Sequence, residues 1–189
     1  MNYRLLALVP LLFARLARAE EPPTTTPWRV VAEIDPLNYV LRSGWSATAF
    51  VRPGPLPHWR FGASMYAGDL PGFAIEDGWE ARIEPGFALH VHYFLSREAR
   101  GWFFGGLVSL NRWRYTLVDA RRSIDVDETS VMPAIGYQWF PFGRGLVIKP
   151  WLGVGIPVYA TREPSIGDET HDRAIPVAPF VTVHLGYEF

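Results

Sequence analysis

From Ala81 to Leu95 the chain alternates: Ile83, Phe87, Leu89, Val91 and Tyr93 share one side of an extended segment, and Arg82, Glu84, Gly86, Ala88, His90 and His92 share the other. Strand side chains alternate with period two, so this pattern predicts a strand with one apolar face and one small or polar face. The same reading holds from Thr129 to Phe140, where Val131, Ile135, Tyr137 and Trp139 oppose Ser130, Ala134, Gly136 and Gln138. It holds again where Ile148, Leu152, Val154, Ile156 and Val158 oppose Lys149, Gly153 and Gly155. No stretch beyond residue 27 carries helical spacing. Eight strands are predicted: Trp28–Leu41, Gly44–Arg52, His58–Ala67, Ala81–Leu95, Gly101–Leu117, Thr129–Phe140, Leu146–Tyr159 and Ile175–Phe189.

The connections alternate in length. PGPLP, SREAR and PFGRG are of hairpin length, whereas GDLPGFAIEDGWE, VDARRSIDVDE and ATREPSIGDETHDRA are long and polar. Short turns on one side and longer loops on the other are the habit of strands that cross a bilayer repeatedly. Aromatic residues gather near strand ends. Trp59, Phe61, Tyr93, Phe94, Trp102, Phe103, Trp139, Phe140, Tyr187 and Phe189 fall near the short turns. Tyr39, Trp45, Tyr66, Phe73, Trp79, Trp113, Tyr115 and Tyr159 fall near the long loops, so two interfacial belts are expected.

Composition narrows the class. Residues 1–19, MNYRLLALVPLLFARLARA, place Arg4 before a short apolar run and end on Ala17-Arg18-Ala19, the pattern of a secretory signal cleaved after Ala19. EEPPTTTP, residues 20–27, reads as a flexible leader. Losing Arg4, Arg15 and Arg18 takes the basic count from 18 to 15 against 19 acids, a formal charge of -4 that offers nothing to a nucleic acid. With no cysteine in the chain, neither disulfides nor thiol chemistry enter.

The signal, the eight amphipathic strands and the terminal stretch VTVHLGYEF resemble the small eight-stranded outer-membrane β-barrels of Gram-negative bacteria, the type of the transmembrane part of outer-membrane protein A. The resemblance implies an antiparallel up-and-down transmembrane β-barrel over residues 28–189, located in the outer membrane among its lipids and lipopolysaccharide. It implies that Phe189, supported by Tyr187, is the signal read by the barrel-assembly machinery. Pro36, Pro85, Pro133, Pro157 and Pro179 depart from the pattern, because they lie inside predicted strands of a barrel that has no free edge. They are expected to mark bulges or strand ends.

An eight-stranded barrel has an interior that side chains fill, which argues against an open pore. Alternation sends Arg29, Glu33, Asp35, Arg60, Arg82, Glu84, His90, His92, Lys149, His184 and Glu188 inward, interleaved with glycines. Buried charges must pair, so a salt-bridged polar plug is expected. His90, His92 and His184 are weak candidates for a metal, for which hydrogen bonding is the preferred reading. No motif calls for a cofactor. A lipid A-modifying barrel enzyme remains an alternative, needing a serine such as Ser130 or Ser165 beside a histidine. So does a lipocalin-like carrier, in which Leu89, Val91, Leu152 and Val154 would line a cavity. The preferred function is a non-enzymatic envelope or surface-interaction protein acting through its loops.

Overall fold

The computed structural model describes residues 27–41, 43–72, 75–167, 169–170 and 178–189. The expectations of a cleaved signal and of most of the leader fall on residues 1–26, outside the described residues. The elements in chain order are β1 (Arg29–Ile34), α1 (Pro36–Leu41), β2 (Trp45–Arg52), β3 (Trp59–Asp69), β4 (Trp79–Phe94), β5 (Gly101–Leu117), β6 (Arg122–Gln138), β7 (Leu146–Ala160), β8 (Ser165–Ile166), β9 (Glu169–Thr170) and β10 (Ala178–Glu188). β1–β7 and β10 form one closed barrel in which each strand pairs antiparallel with its neighbours, and β10 closes on β1 from Val31↔Glu188 to Ile34↔Leu185. The remaining two strands make a two-residue hairpin within the last long loop.

Register fixes the shape of the wall. Partners followed from Val131 through Val108, Leu89, Ala63, Ala49, Ala32 and Tyr187 arrive on β7 at Leu146, ten residues from Ile156, which Val131 itself faces. A stagger of this kind requires strands tilted by roughly 35–45° to the barrel axis. The polarity of the wall follows the alternation: on β4, Phe87, Leu89 and Val91 are exposed while Ala88, His90, His92 and Phe94 are buried. On β7, exposed Leu152 and Ile156 alternate with buried Trp151, Gly153 and Gly155.

Several boundaries differ from the sequence reading. The predicted first strand ends at Ile34 and gives way to α1. Asp35 caps this helix, its Oδ1 accepting hydrogen bonds from the amides of Leu37 (2.9 Å) and Asn38 (3.3 Å), and Pro36 occupies the first helical position, where its missing amide costs nothing. In β4 the pairing with β5 shifts between Ile83 and Gly86, so Glu84 and Pro85 together oppose Arg112. This bulge absorbs Pro85 and inverts the parity above it, burying Trp79 and Ala81 and turning Arg82 and Glu84 outward. Pro157 opposes Ser130 at the register shift in β6–β7, and farther along the same pair of strands pairing is interrupted between Val131 and Ala134, around Pro133. Pro179 is the second residue of β10.

The segment expected as the loop VDARRSIDVDE is mostly strand. β5 and β6 pair up to Leu117↔Arg122 and turn tightly through residues 118–121, with Arg121 at a positive φ of 50°. Above the barrel, β4, β5 and β6 continue as a sheet whose inner face packs Trp79, Ala81, Tyr115, Leu117 and Val126 with Ile166. Leu70, Ile75, Trp113 and Ile124 pack around this cluster, so the aromatics Trp79, Trp113 and Tyr115 belong to a small core and not to a belt.

Candidate functional site

The inward residues of the lower barrel form a plug of charges set among aromatic rings. Glu33, with a side chain fully buried, forms an ion pair with Lys149 and takes a hydrogen bond from His184 Nδ1 at 3.0 Å. A carboxylate can only accept, so this contact fixes the proton on Nδ1. Lys149 Nζ also lies 4.0 Å from the centroid of Phe50, over its face. One layer nearer the short turns, Arg60 is 1% exposed and contacts Glu188 Oε2 at 2.5 Å and Gln138 Oε1 at 2.6 Å. Gln138 Nε2 donates in turn to the carbonyl of Ala99 at 2.6 Å, tying the network to the short turn between β4 and β5. Arg29 approaches Glu188 at 3.6 Å from the rim.

Glycine makes this packing possible. A Cβ on Gly136 would stand 2.5 Å from both the Phe103 ring and Trp151 Cβ, and one on Gly62 would stand 2.4 Å from the Phe50 ring. Phe103 stacks on His92 with centroids 4.4 Å apart, and Phe94 lies 5.2 Å from Phe103 and beneath the Arg60 guanidinium. Phe94, Phe103 and Phe140, expected in the outer belt, are therefore buried inside. Phe94 and Phe103 were identifiable from parity: each shares its strand face with inward glycines, alanines or histidines. Phe50 was also missed, and Gln138, which alternation put on the small or polar face, was not foreseen as a partner of Arg60.

The structure brings these charges together in two groups, Glu33 with Lys149 and His184, and Glu188 with Arg29 and Arg60. Asp35 sits apart as the cap of α1. Arg82 and Glu84, expected in the lumen, lie on the outside because the bulge at Glu84–Pro85 reverses the alternation. There Arg82 pairs with Asp69 at 2.6 Å and Arg114 with Glu84 at 2.9 Å. Arg114 also meets Asp125 at 3.0 Å, and Arg112 meets Asp127 at 2.9 Å, so a ladder of ion pairs runs directly above the outward apolar residues Val108 and Leu110. The hydrogen bond from Arg114 holds the Asp125 carboxyl below its ordinary range.

The three candidate metal ligands are engaged differently. His184 serves Glu33, His90 Nε2 lies 2.8 Å from Ser64 Oγ, and His92 is sandwiched against Phe50 and Phe103. Glu84, which alternation placed beside His90 and His92, is on the other side of the wall. Ser130 donates to Glu128 Oε1 at 2.8 Å, and Ser165 takes a hydrogen bond from Thr170, so neither is paired with a histidine among these contacts. Among the described residues, Ser64 and His90 make a serine–histidine contact, and both are buried within the barrel. Leu89, 69% exposed, and Leu152, 50% exposed, face outward, which removes the inward apolar lining a lipocalin-like carrier needs.

The sequence matches no protein-family model and no curated protein. Among solved structures the chain is similar to the crystal structure of Neisserial surface protein A, with 12% identity and a TM-score of 0.44 over 89% of this chain and 98% of that one.

Proposed function

We propose that the chain is an integral outer-membrane barrel with a plugged interior, whose role is non-catalytic and exercised at the cell surface by the sheet and loops above the membrane. The observation that carries this reading is the polarity of a closed wall: Lys149 and Arg60 are each 1% exposed inside, while Leu89 is 69% and Val181 72% exposed outside. Water would penalise that outer surface and a bilayer would reward it, because apolar burial contributes about 25 cal/mol per Å². A closed barrel also leaves few backbone groups without partners in lipid. Outward Trp102, Phe104, Val108 and Leu110 on β5 cover the nine-residue span that a tilted strand needs to cross. Exposed Trp102, Tyr137, Trp139 and Tyr187 then form the interfacial belt on the short-turn side.

On this reading the ladder of Arg82, Arg112 and Arg114 with Asp69, Glu84, Asp125 and Asp127 stands at the height of lipid and lipopolysaccharide headgroups, where both its charges have partners to choose. Phe189 follows the strand that closes the barrel, its amide donating to the Val30 carbonyl at 2.9 Å and its ring 5.0 Å from that of Tyr187. That position suits an assembly signal presented by the last strand before closure. The absence of cysteine makes topology testable. Asp119→Cys, in the β5–β6 turn, is expected to react with a membrane-impermeant maleimide on intact cells, and Glu98→Cys, in a short turn, only after the outer membrane is permeabilised. Equal labelling of both on intact cells would contradict the proposal.

A further inference from the structure

The wall of the barrel is incomplete as a sheet. Pairing of β1 with β10 stops at Ile34↔Leu185, yet β10 continues upward from His184 to Ala178. Continuing that register would set residues 35–41 beside this stretch, and those residues are Asp35 and the helix α1. Among the described residues, β10 from Ala178 to His184 therefore has a strand neighbour on its β7 side alone. The gap lies in the apolar part of the wall, since Val181 faces outward opposite Leu152 and Pro179 opposite Val154.

The helix that fills the gap is fastened on one side. Asn38 Nδ2 donates to the carbonyls of Trp45 (2.7 Å) and Ala67 (3.0 Å), and Tyr39 Oη to that of Ser46 (3.1 Å), all on β2 and β3. It also lies alongside β10. In this six-residue helix Pro36 has no amide to leave unpaired and Asp35 Oδ1 takes those of Leu37 and Asn38, so its first turn leaves few free donors in a lipid-exposed wall. Its outer surface, with Val40 78% and Leu41 67% exposed, is apolar.

Directly behind the gap are two buried donors without a hydrogen-bond partner among the described residues, Thr182 Oγ1 and Trp151 Nε1. They face each other in register across β10 and β7. Around them lie Phe180, Met132 and Phe103, with the His184 ring 5.5 Å from that of Trp151, and the neighbouring inward positions Gly153, Gly155 and Ala178 carry little or no side chain. Buried hydroxyl and indole groups are normally paired, so two adjacent unpaired ones point to an oxygen acceptor that the described residues do not supply.

We infer that the seam between α1 and β10 is a lateral entry by which a single-chain amphiphile from the bilayer reaches the barrel, its acceptor oxygen held by Thr182 and Trp151 and its acyl chain lying out through the seam. This rests on the membrane reading above. A fatty acid fits because an interior of this size takes one slender ligand, and because an indole N–H can only donate.

The test uses the full chain in phosphatidylcholine nanodiscs and palmitate carrying a photoreactive tail. Saturable labelling that maps to β10, β7 or α1 is expected, with competition by unlabelled palmitate and none by hexadecane, which has no acceptor. Thr182→Val is isosteric and Trp151→Phe keeps an aromatic ring while each removes a donor, and each is expected to weaken labelling by about tenfold, the equivalent of one lost hydrogen bond. A merely structural role would leave labelling unchanged. Labelling spread around the barrel, equal competition by hexadecane, or indifference to both variants would overturn the inference. A chain that shows no heat-dependent gel shift before the assay would instead show that the membrane reading had failed.

Discussion

Lys149 and Glu33 show how residue-scale chemistry is fixed by the wall around it. Both are fully enclosed, and removing one leaves the other without its opposite charge, Glu33 keeping only the His184 hydrogen bond and Lys149 only the ring faces around it, against its lost hydration. Lys149→Met is expected to lower stability by about 3–5 kcal/mol in urea refolding into vesicles, whereas Lys149→Met with Glu33→Gln should recover most of that loss. Gly136→Ala forces a methyl into the Phe103 and Trp151 contacts and is expected to cost about 1–3 kcal/mol by the same assay. Asp125 gives a pH signature. Its hydrogen bond from Arg114 lowers the carboxyl's folded-state pKa, so its stabilising contribution is complete above the ordinary aspartate value and is lost as pH falls through the lowered one. Hydrogen exchange of the β5–β6 hairpin should therefore accelerate in acid below the ordinary aspartate range, and Asp125→Asn should flatten that response. The inward parity of Glu33, Arg60, Lys149 and His184 was legible in the sequence because a strand offers two faces and one of them was apolar. Which charge meets which was not legible, because partners such as Arg60 and Glu188 are set by stagger between distant strands.

Among the elements, the departures from simple alternation cluster at prolines. Glu84 and Pro85 share one partner position opposite Arg112, so the upper part of β4 keeps Trp79 and Ala81 inside only because one residue is surplus there. Deleting Pro85 should thus restore one-to-one pairing and leave Arg82 and Glu84 outward, and the variant is expected to assemble. Deleting Ala88, in a regular stretch, shifts everything above it by one residue and turns Trp79 and Ala81 out, and assembly is expected to fail. A heat-dependent gel shift separates the two outcomes. Sequence reading expected bulges at these prolines and yet kept one parity throughout β4, which is how Arg82 and Glu84 came to be placed inside. It also took α1 for strand, since six residues are too few for helical periodicity to show and the Asp35-Pro36 start was read as part of a strand. The hairpin of β5 and β6 was mistaken for a loop because its outward positions, Ser123, Asp125 and Asp127, are polar where headgroups or water take over from the apolar band.

At the scale of the molecule, eight strands, their antiparallel order and the apolar exterior follow from alternation and from the rhythm of short and long connections, all of which a single sequence displays. The stagger of the ring and the helix in its seam do not, because both are properties of closure, which no local pattern encodes. What the account stands on is that the exposed face of this barrel is solvated by lipid. Cells expressing the full-length chain should be fractionated and the outer-membrane fraction run on an SDS gel with and without boiling, beside a variant lacking Phe189. Recovery in that fraction with a mobility that changes on heating, and a weaker shifted band without Phe189, is the result predicted. Recovery in the soluble fraction with one mobility at both temperatures would contradict it.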